Sequence, residues 1–353
     1  MFINVCLKIA RNMVSSKGAF CRRLHEHSTQ ILLVFVFVLV TFTFLSNTFG
    51  KVVVVEKTVV VQRYSGNMNE PAELVLPYKF TAEELIQEGR ISRKDVEEVG
   101  TFVSNLNDKY VPAKLQDETI CIFLLSCEHD VELTKKTIIS YYLLKYQGPE
   151  IYDNRELNNT DIKLALNTIH MSSIPVRTEN NDVYHYFNIH DSYYRNFDLV
   201  PIMKISYMLM DVSQEKNPPN GIIVVIDFKG FGLMHMSKIK MQAIKKYLTF
   251  LQEGFPMKLK TIHIINSVYF IDKILALVKV FIKNELMSML HFHTPDLSQE
   301  KLFEIIPKKY LPSEYGGDLP SESELHRVTL EQFEKLETFW KIEEKIRKKA
   351  LSE

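Results

Sequence analysis

Residues 220–232 read NGIIVVIDFKGFG. Gly221–Asp227 is a nearly continuous apolar run of strand length, as expected where both faces of a sheet are covered. An acid closes it, and the turn D-x-x-G, Asp227 to Gly230, follows. Downstream, Ser237–Leu251 has helical periodicity, Lys260–Asn266 is a second apolar strand, and Val268–Leu290 reads as one long oily helix carrying lysines. Upstream, Val183–His190 (VYHYFNIH) alternates like a half-buried strand. Asp198–Val212 reads as a helix containing Met203, Met208 and Met210. Methionine is pliable, so it suits a wall around a flexible ligand as well as an ordinary core. Alternating strands and helices predict an α/β fold.

Ahead of this stretch the chain reads as short helices. Thr81–Glu84 (TAEE) has capping-box spacing, Ser92 caps a second helix, Asp117 caps a third (DETICIFLLSCEHD), and Asp130 opens a fourth that stops before Gly148–Pro149. At the far end, Thr329–Ala350 begins with a capping-box pair, Thr329 and Gln332. It places Phe333, Leu336, Trp340 and Ile346 on one face, as a scaffold helix packed on the main body would.

The 353 residues hold one large or two modest domains, with 46% hydrophobic content, ample for a core. Lys+Arg and Asp+Glu balance at 43 each, so no global charge recommends nucleic acid. The four cysteines, Cys6, Cys21, Cys121 and Cys127, form no CxxC pair or disulfide framework, which fits a reducing compartment.

Residues 1–67 form an extension whose apolar segment, 31–49, sits at the lower edge of the roughly 17–25 residues that span a bilayer. Three readings stay open: a signal anchor, a cleaved signal peptide, or an extension outside a working protein that starts at Met68. The expected organisation beyond it is a helical module over 68–150, a ligand-binding domain over 151–320 and a C-terminal helix over 321–353.

Taken together, the Phe123–Leu124 pair, the acid-rich turn after it, Tyr141–Tyr142, D-x-x-G and the closing EYGG (Glu314–Gly317) resemble the CRAL-TRIO lipid-binding family of the alpha-tocopherol transfer protein type, in particular its insect branch. The resemblance runs from about residue 123 to 320. It implies a helical N-terminal module followed by a mixed-sheet domain with an apolar cavity and a helical lid. It also implies a non-enzymatic carrier, cytoplasmic and peripherally membrane-associated unless 31–49 anchors it, acting as a monomer with no cofactor.

Aligned with the family, the cavity wall includes Ile222, Val224, Ile226, Phe231, Tyr247, Phe250, Leu251, Phe255, Leu259 and Ile262, with Tyr207 of the preceding helix as a candidate polar contact. The lid carries Phe270, Ile274, Leu277, Val278 and Phe281. Lys258 and Lys260 match one basic pair used for phosphoinositide headgroups, while the second pair is replaced by Glu285 and Met289, leaving Lys279 and Lys283 to substitute from the preceding turn. Two arginines of the family's helical module are replaced by Leu125 and Cys127. The implied partners are a hydrophobic small molecule (a tocopherol, a retinoid or another lipid) and an anionic membrane surface. A membrane-tethered lipid sensor that never releases its ligand is the alternative.

Enzyme signatures are missing from the sequence. His190–Asp191–Ser192 holds the ingredients of a hydrolase triad, but three consecutive residues cannot converge as one does. His291 and His293 lack a third ligand by spacing. Gly230-Phe-Gly232 has His235 where a dinucleotide loop needs its third glycine.

Overall fold

The computed structural model describes residues 78–349; the apolar segment 31–49 lies outside them. Helices α1 (Ala82–Gln87), α2 (Arg93–Asn105), α3 (Asp117–Ser126) and α4 (Val131–Gln147) come first, then α5 (Pro149–Tyr152) and α6 (Thr160–Thr168). Strands β1 (Ile169–Ser173) and β2 (Asp182–Ile189) follow, then α7 (Leu199–Gln214), β3 (Gly221–Asp227), α8 (Leu233–Met236), α9 (Met241–Glu253) and β4 (Leu259–Ile265). The chain continues through α10 (Ile271–Val278), α11 (Asn284–Ser288), β5 (Leu290–Phe292), α12 (Gln299–Ile305) and α13 (Glu322–Lys349).

The five strands lie in sequence order, with β1 antiparallel to β2 and the remaining neighbours parallel. Parallel pairs need a crossover, and helices supply each one. This is the expected α/β architecture with a mixed sheet.

The helical front end owes its start signals to local chemistry. Thr81 forms both halves of its capping box with Glu84, and Asp130 accepts a hydrogen bond from the Leu133 amide at 2.9 Å. Ser92 occupies the cap position without making a side-chain bond, and Gln116, not Asp117, caps α3. Asp117 is instead the first helical residue, where its charge still suits the positive end of the helix. One apolar core, including Leu85, Val99, Val103, Phe123, Leu124 and Ile138, joins α1 to α4.

The sheet separates two apolar layers. Ile222, Ile262 and Ile264 join Met203, Tyr207 and Phe250 on one side, whereas Val225 and Ile265 join Tyr184, Tyr186, Leu302 and Leu311 on the other. Helix α7 is oily all round because it packs two ways: Met203 and Met210 face the first layer, and Met208 faces a third cluster with Phe333, Leu336 and Trp340 of α13. The alternation expected in Val183–His190 is absent, since residues 182–186 are all buried. As an interior strand, β2 has both faces covered.

Two further expectations change. The helix expected over Ser237–Leu251 starts late: the short α8 ends at Met236, and α9 runs from Met241 to Glu253. Thr329 caps nothing, because α13 starts seven residues earlier, and the Thr329 hydroxyl, buried mid-helix, donates to the Leu325 carbonyl at 3.0 Å. Ser321 accepts from the Glu324 amide at 3.2 Å and supplies the start signal instead.

Candidate functional site: a lidded apolar face with a charged cleft

The two sequence motifs meet in space. Gly230 takes φ +90° in the turn after β3, a left-handed conformation that suits glycine. At Gly317 a Cβ would fall 1.8 Å from the Leu311 carbonyl oxygen, so the second glycine of EYGG admits no side chain. These turns place the Tyr315 hydroxyl 2.8 Å from Asp227 Oδ2 and 2.6 Å from Glu322 Oε1. The one phenolic proton is shared between the two carboxylates, and burial raises the Glu322 carboxyl above its ordinary value. This polar knot closes the second sheet face, away from the apolar wall.

Of the eleven wall residues expected from sequence, ten fall in or against one cluster: Tyr207, Ile222, Phe250, Leu259 and Ile262 are buried, and Val224, Ile226, Tyr247, Leu251 and Phe255 pack against them. Phe231 belongs elsewhere. It lies in the loop after β3, packs against the α13-side cluster, and stacks on Phe228 and His235. The heart of the wall is aromatic: Phe250 lies 5.1 Å from Tyr152 and 4.8 Å from Tyr207, centroid to centroid. The Tyr152 hydroxyl donates to the Tyr207 hydroxyl at 3.1 Å, so Tyr207 already has a polar partner.

The lid is not one continuous helix. Residues 268–290 fold as α10, a 3₁₀ turn (Lys279–Phe281) and α11, with Ile282 and Lys283 extended between them. Gln252 of α9 stabilises the break. Its Nε2 donates to the Phe281 carbonyl at 2.9 Å, and its Oε1 accepts from the Lys283 amide at 2.6 Å. Two backbone groups that a continuous helix would have paired internally are thus satisfied by one side chain.

Val278, Phe281, Ile282 and Leu286 turn inward to the wall cluster, and Phe270 is buried against Phe231. Outward, Tyr269 is 85% exposed, Val280 71% and Leu277 40%; Ile274 is half-buried. Lys273 and Lys279 are exposed on the same segment.

Beside the lid lies a cleft of about 180 Å³ between the front helices, the end of α9 and α11. Leu251, Phe255, Leu259 and Met289 give it an apolar lining, and Lys258, Lys283, Glu253 and Glu285 charge it. Cys127 lines it too, buried and hydrogen-bonded to Thr137, whereas Leu125 is buried in the front-end core. Three of the four expected cations are already paired, and the fourth, Lys279, is exposed. Lys258 and Lys260 reach Glu128 at 2.7 and 3.3 Å, and Lys283 reaches Glu253 at 2.9 Å. Sequence reading missed Glu128 because it lies 130 residues from Lys258, at the α3–α4 turn.

The histidine reading changes as well. His263 on β4 pairs in register with His291, and its Nδ1 lies 3.1 Å from His293 Nε2, so a third imidazole does join the pair. Even so, among the described residues no group of three or more such side chains is arranged to hold a metal ion. Nor is any described helix long and apolar enough to cross a membrane.

A mixed sheet with one apolar face closed by an α9-clamped lid defines the class: an α/β domain built around an apolar wall. The family model of the CRAL/TRIO domain matches residues 169–317. An alpha-tocopherol transfer protein-like protein of Mus musculus is 26% identical over 212 residues, covering 59% of this chain and 60% of that one. Clavesin-1 of Rattus norvegicus is 32% identical over 101 residues, 29% of this chain and 28% of its own. The match to the mouse relative therefore spans about three-fifths of that protein's length. The crystal structure of Sfh5 aligns with a TM-score of 0.44 and 15% identity over 67% of this chain and 92% of that one.

Proposed function

We propose that the protein binds a hydrophobic small molecule and moves it between membranes without converting it chemically. The two-sided lid carries this reading: one side joins the apolar wall cluster while Tyr269, Leu277 and Val280 face out. Large apolar side chains exposed together mark a surface that meets another apolar phase, and Lys273 and Lys279 beside them suit an anionic headgroup layer. The cargo, in this reading, lies against Tyr207, Ile222, Val224, Ile226, Tyr247, Phe250, Leu251, Phe255, Leu259 and Ile262 under Phe270, Ile274, Val278 and Phe281, while Leu277, expected over the cargo, is on the outer side of the lid. Burial of its surface contributes roughly 25 cal/mol per Å², so selection rests on shape and on few polar groups. In the same reading, the described part of the helical module expected over 68–150 braces the domain of 151–320, and α13, within the helix expected over 321–353, backs it.

Docking on an anionic, phosphoinositide-containing membrane belongs to the same proposal, with Lys258, Lys260, Lys279 and Lys283 as the contacting cations. The names of the transfer protein-like relatives support a tocopherol-like cargo over a fully polar one. Two measurements test the function together: mass spectrometry of lipid co-purifying with the full chain, and transfer of a fluorescent tocopherol or retinoid between donor and acceptor vesicles. A protein that carries no lipid and leaves the transfer rate at its protein-free value is not a carrier.

A further inference from the structure

The front-end turn that the cleft shares with β4 is rigid and aimed. Glu128 and His129 both take left-handed backbone conformations, φ +52° and +67°. The His129 amide is bonded to the Leu124 carbonyl at 2.9 Å and the Glu128 amide to the Leu125 carbonyl at 3.2 Å. This turn delivers one carboxylate to two ammonium groups, with Oε2 on Lys258 and Oε1 on Lys260. Lys283, which lines the cleft with Lys258, is matched by Glu253, and Glu285 adds a carboxylate with no ion-pair partner among the described residues. Three lysines are thus matched by three carboxylates in and beside the cleft, so a headgroup that reaches Lys258 and Lys260 meets no surplus charge there, while Lys279 stays exposed on the lid.

We propose that Glu128 sets the headgroup selectivity of this cleft: adjacent phosphates displace it from Lys258 and Lys260, whereas a singly charged headgroup does not. This rests on the membrane-docking reading above. Glu128 competes from within the chain, so it acts at the high effective concentration of a tethered group. Each exposed pair contributes only ~0.2–1 kcal/mol, weak enough to exchange. A single lipid charge offers no more than Glu128 already supplies. Two neighbouring phosphates bring several negative charges and many acceptor oxygens to the same two ammonium groups, which tips the exchange.

The test is liposome flotation of the full chain on phosphatidylcholine vesicles doped with either phosphatidylserine or phosphatidylinositol bisphosphate at matched formal charge. Wild type should prefer the bisphosphate. Glu128→Gln keeps the side chain's shape at an exposed site, and its binding to phosphatidylserine vesicles should rise about threefold to fivefold, the exchange value of a weak pair, narrowing the preference. Glu128→Gln/Lys258→Ala/Lys260→Ala should return to wild-type binding or below. A gain retained in the triple variant would mean that bulk charge acts and not this pair, which overturns the assignment. Equal flotation of wild type and Glu128→Gln overturns the selectivity role while docking stands. Flotation by the variant alone would mean that no headgroup displaces Glu128, which overturns the selectivity role and docking by the wild type together. Flotation by neither variant nor wild type overturns both.

Discussion

Glu343 shows how much one side chain can organise. It accepts from Lys145 at 2.8 Å, from Arg155 at 2.5 Å and from Arg347 at 3.3 Å, tying α13 to α4 and to the turn after α5. Burial alone would raise its carboxyl, but Lys145, Arg155 and Arg347 outweigh burial and hold it well below the usual carboxylate range. The same burial pushes Lys145 down to about 8, against the opposing pull of Glu343. Arg155 also pairs with Asp211 at 3.2 Å, and the Trp340 indole donates to that carboxylate at 2.8 Å. Glu343→Gln leaves three cations without their shared anion in a buried site. The expected cost is about 3–5 kcal/mol, read as a lower urea midpoint with an unchanged slope. A loss under about 1 kcal/mol would show that water already screens the group. The sequence offers no hint of this cluster, whose members span residues 145 to 347 and read singly as surface charges. The apolar wall was more legible, because strands of known register fix which side chains share a face; Phe231 escaped because it sits in a loop, where alternation has no meaning.

Element by element, periodicity identified the interior and failed at breaks. Residues 268–290 keep a helical apolar rhythm throughout, yet the chain stops at Ile282 because Gln252, thirty residues away, offers its backbone better partners than a further turn. Strand β5 was hidden for a related reason: three residues are too few to show a period, and only pairing with β4 defines them. If Gln252 pins the lid, Gln252→Ala should speed release of bound lipid severalfold while costing about 1–3 kcal/mol of stability for the groups left unpaired; stopped-flow dequenching of a fluorescent ligand measures the rate, and an unchanged rate would place the moving part elsewhere. The two sides of the lid should also separate in function. Phe270→Asp buries a carboxylate against Phe231 and should unfold or severely weaken the protein. Val280→Asp, at an exposed site, should leave the melting temperature within about 2 °C, as surface changes do, while slowing vesicle-to-vesicle transfer. Normal transfer by Val280→Asp would remove the outer face from membrane contact. Helix α13 behaves as scaffold: Trp340 is fully buried with Phe333 and Leu336, so Trp340→Ala should cost about 3–5 kcal/mol, with cargo preference among the survivors unchanged in co-purification.

Across the molecule, histidines sit where the sheet meets its surroundings, and that placement couples the fold to pH. His170 on β1 stacks on His190 at 3.8 Å and on His326 of α13 at 4.6 Å. Burial, then His326 and His190, lowers it to about 4. At the opposite edge, burial, then His293 and His291, lowers His263 to about 4. Between them, burial and Arg177 lower His185 to about 3. Each is neutral when folded, whereas an unfolded chain returns it to its ordinary 6.5. Between pH 6.5 and about 4 the unfolded state therefore binds more protons than the folded one, so stability rises with pH across that window and is lost as pH falls through it. The carboxylate contribution follows a lower window, since Glu343 is held below its ordinary value and its contribution fades only as pH drops beneath the usual carboxylate range. Thermal midpoints taken at constant ionic strength should thus be flat between pH 7 and about 8, where Lys145 begins to lose its proton in the folded state, decline from about pH 6.5, and decline further below pH 4. His170→Asn keeps a polar group on β1 but removes the titration. Its midpoint should lie below wild type at pH 7.5, through lost stacking, and the gap should narrow by pH 5. A gap that stays constant with pH would show that the histidine stack at the β1–α13 seam contributes packing alone.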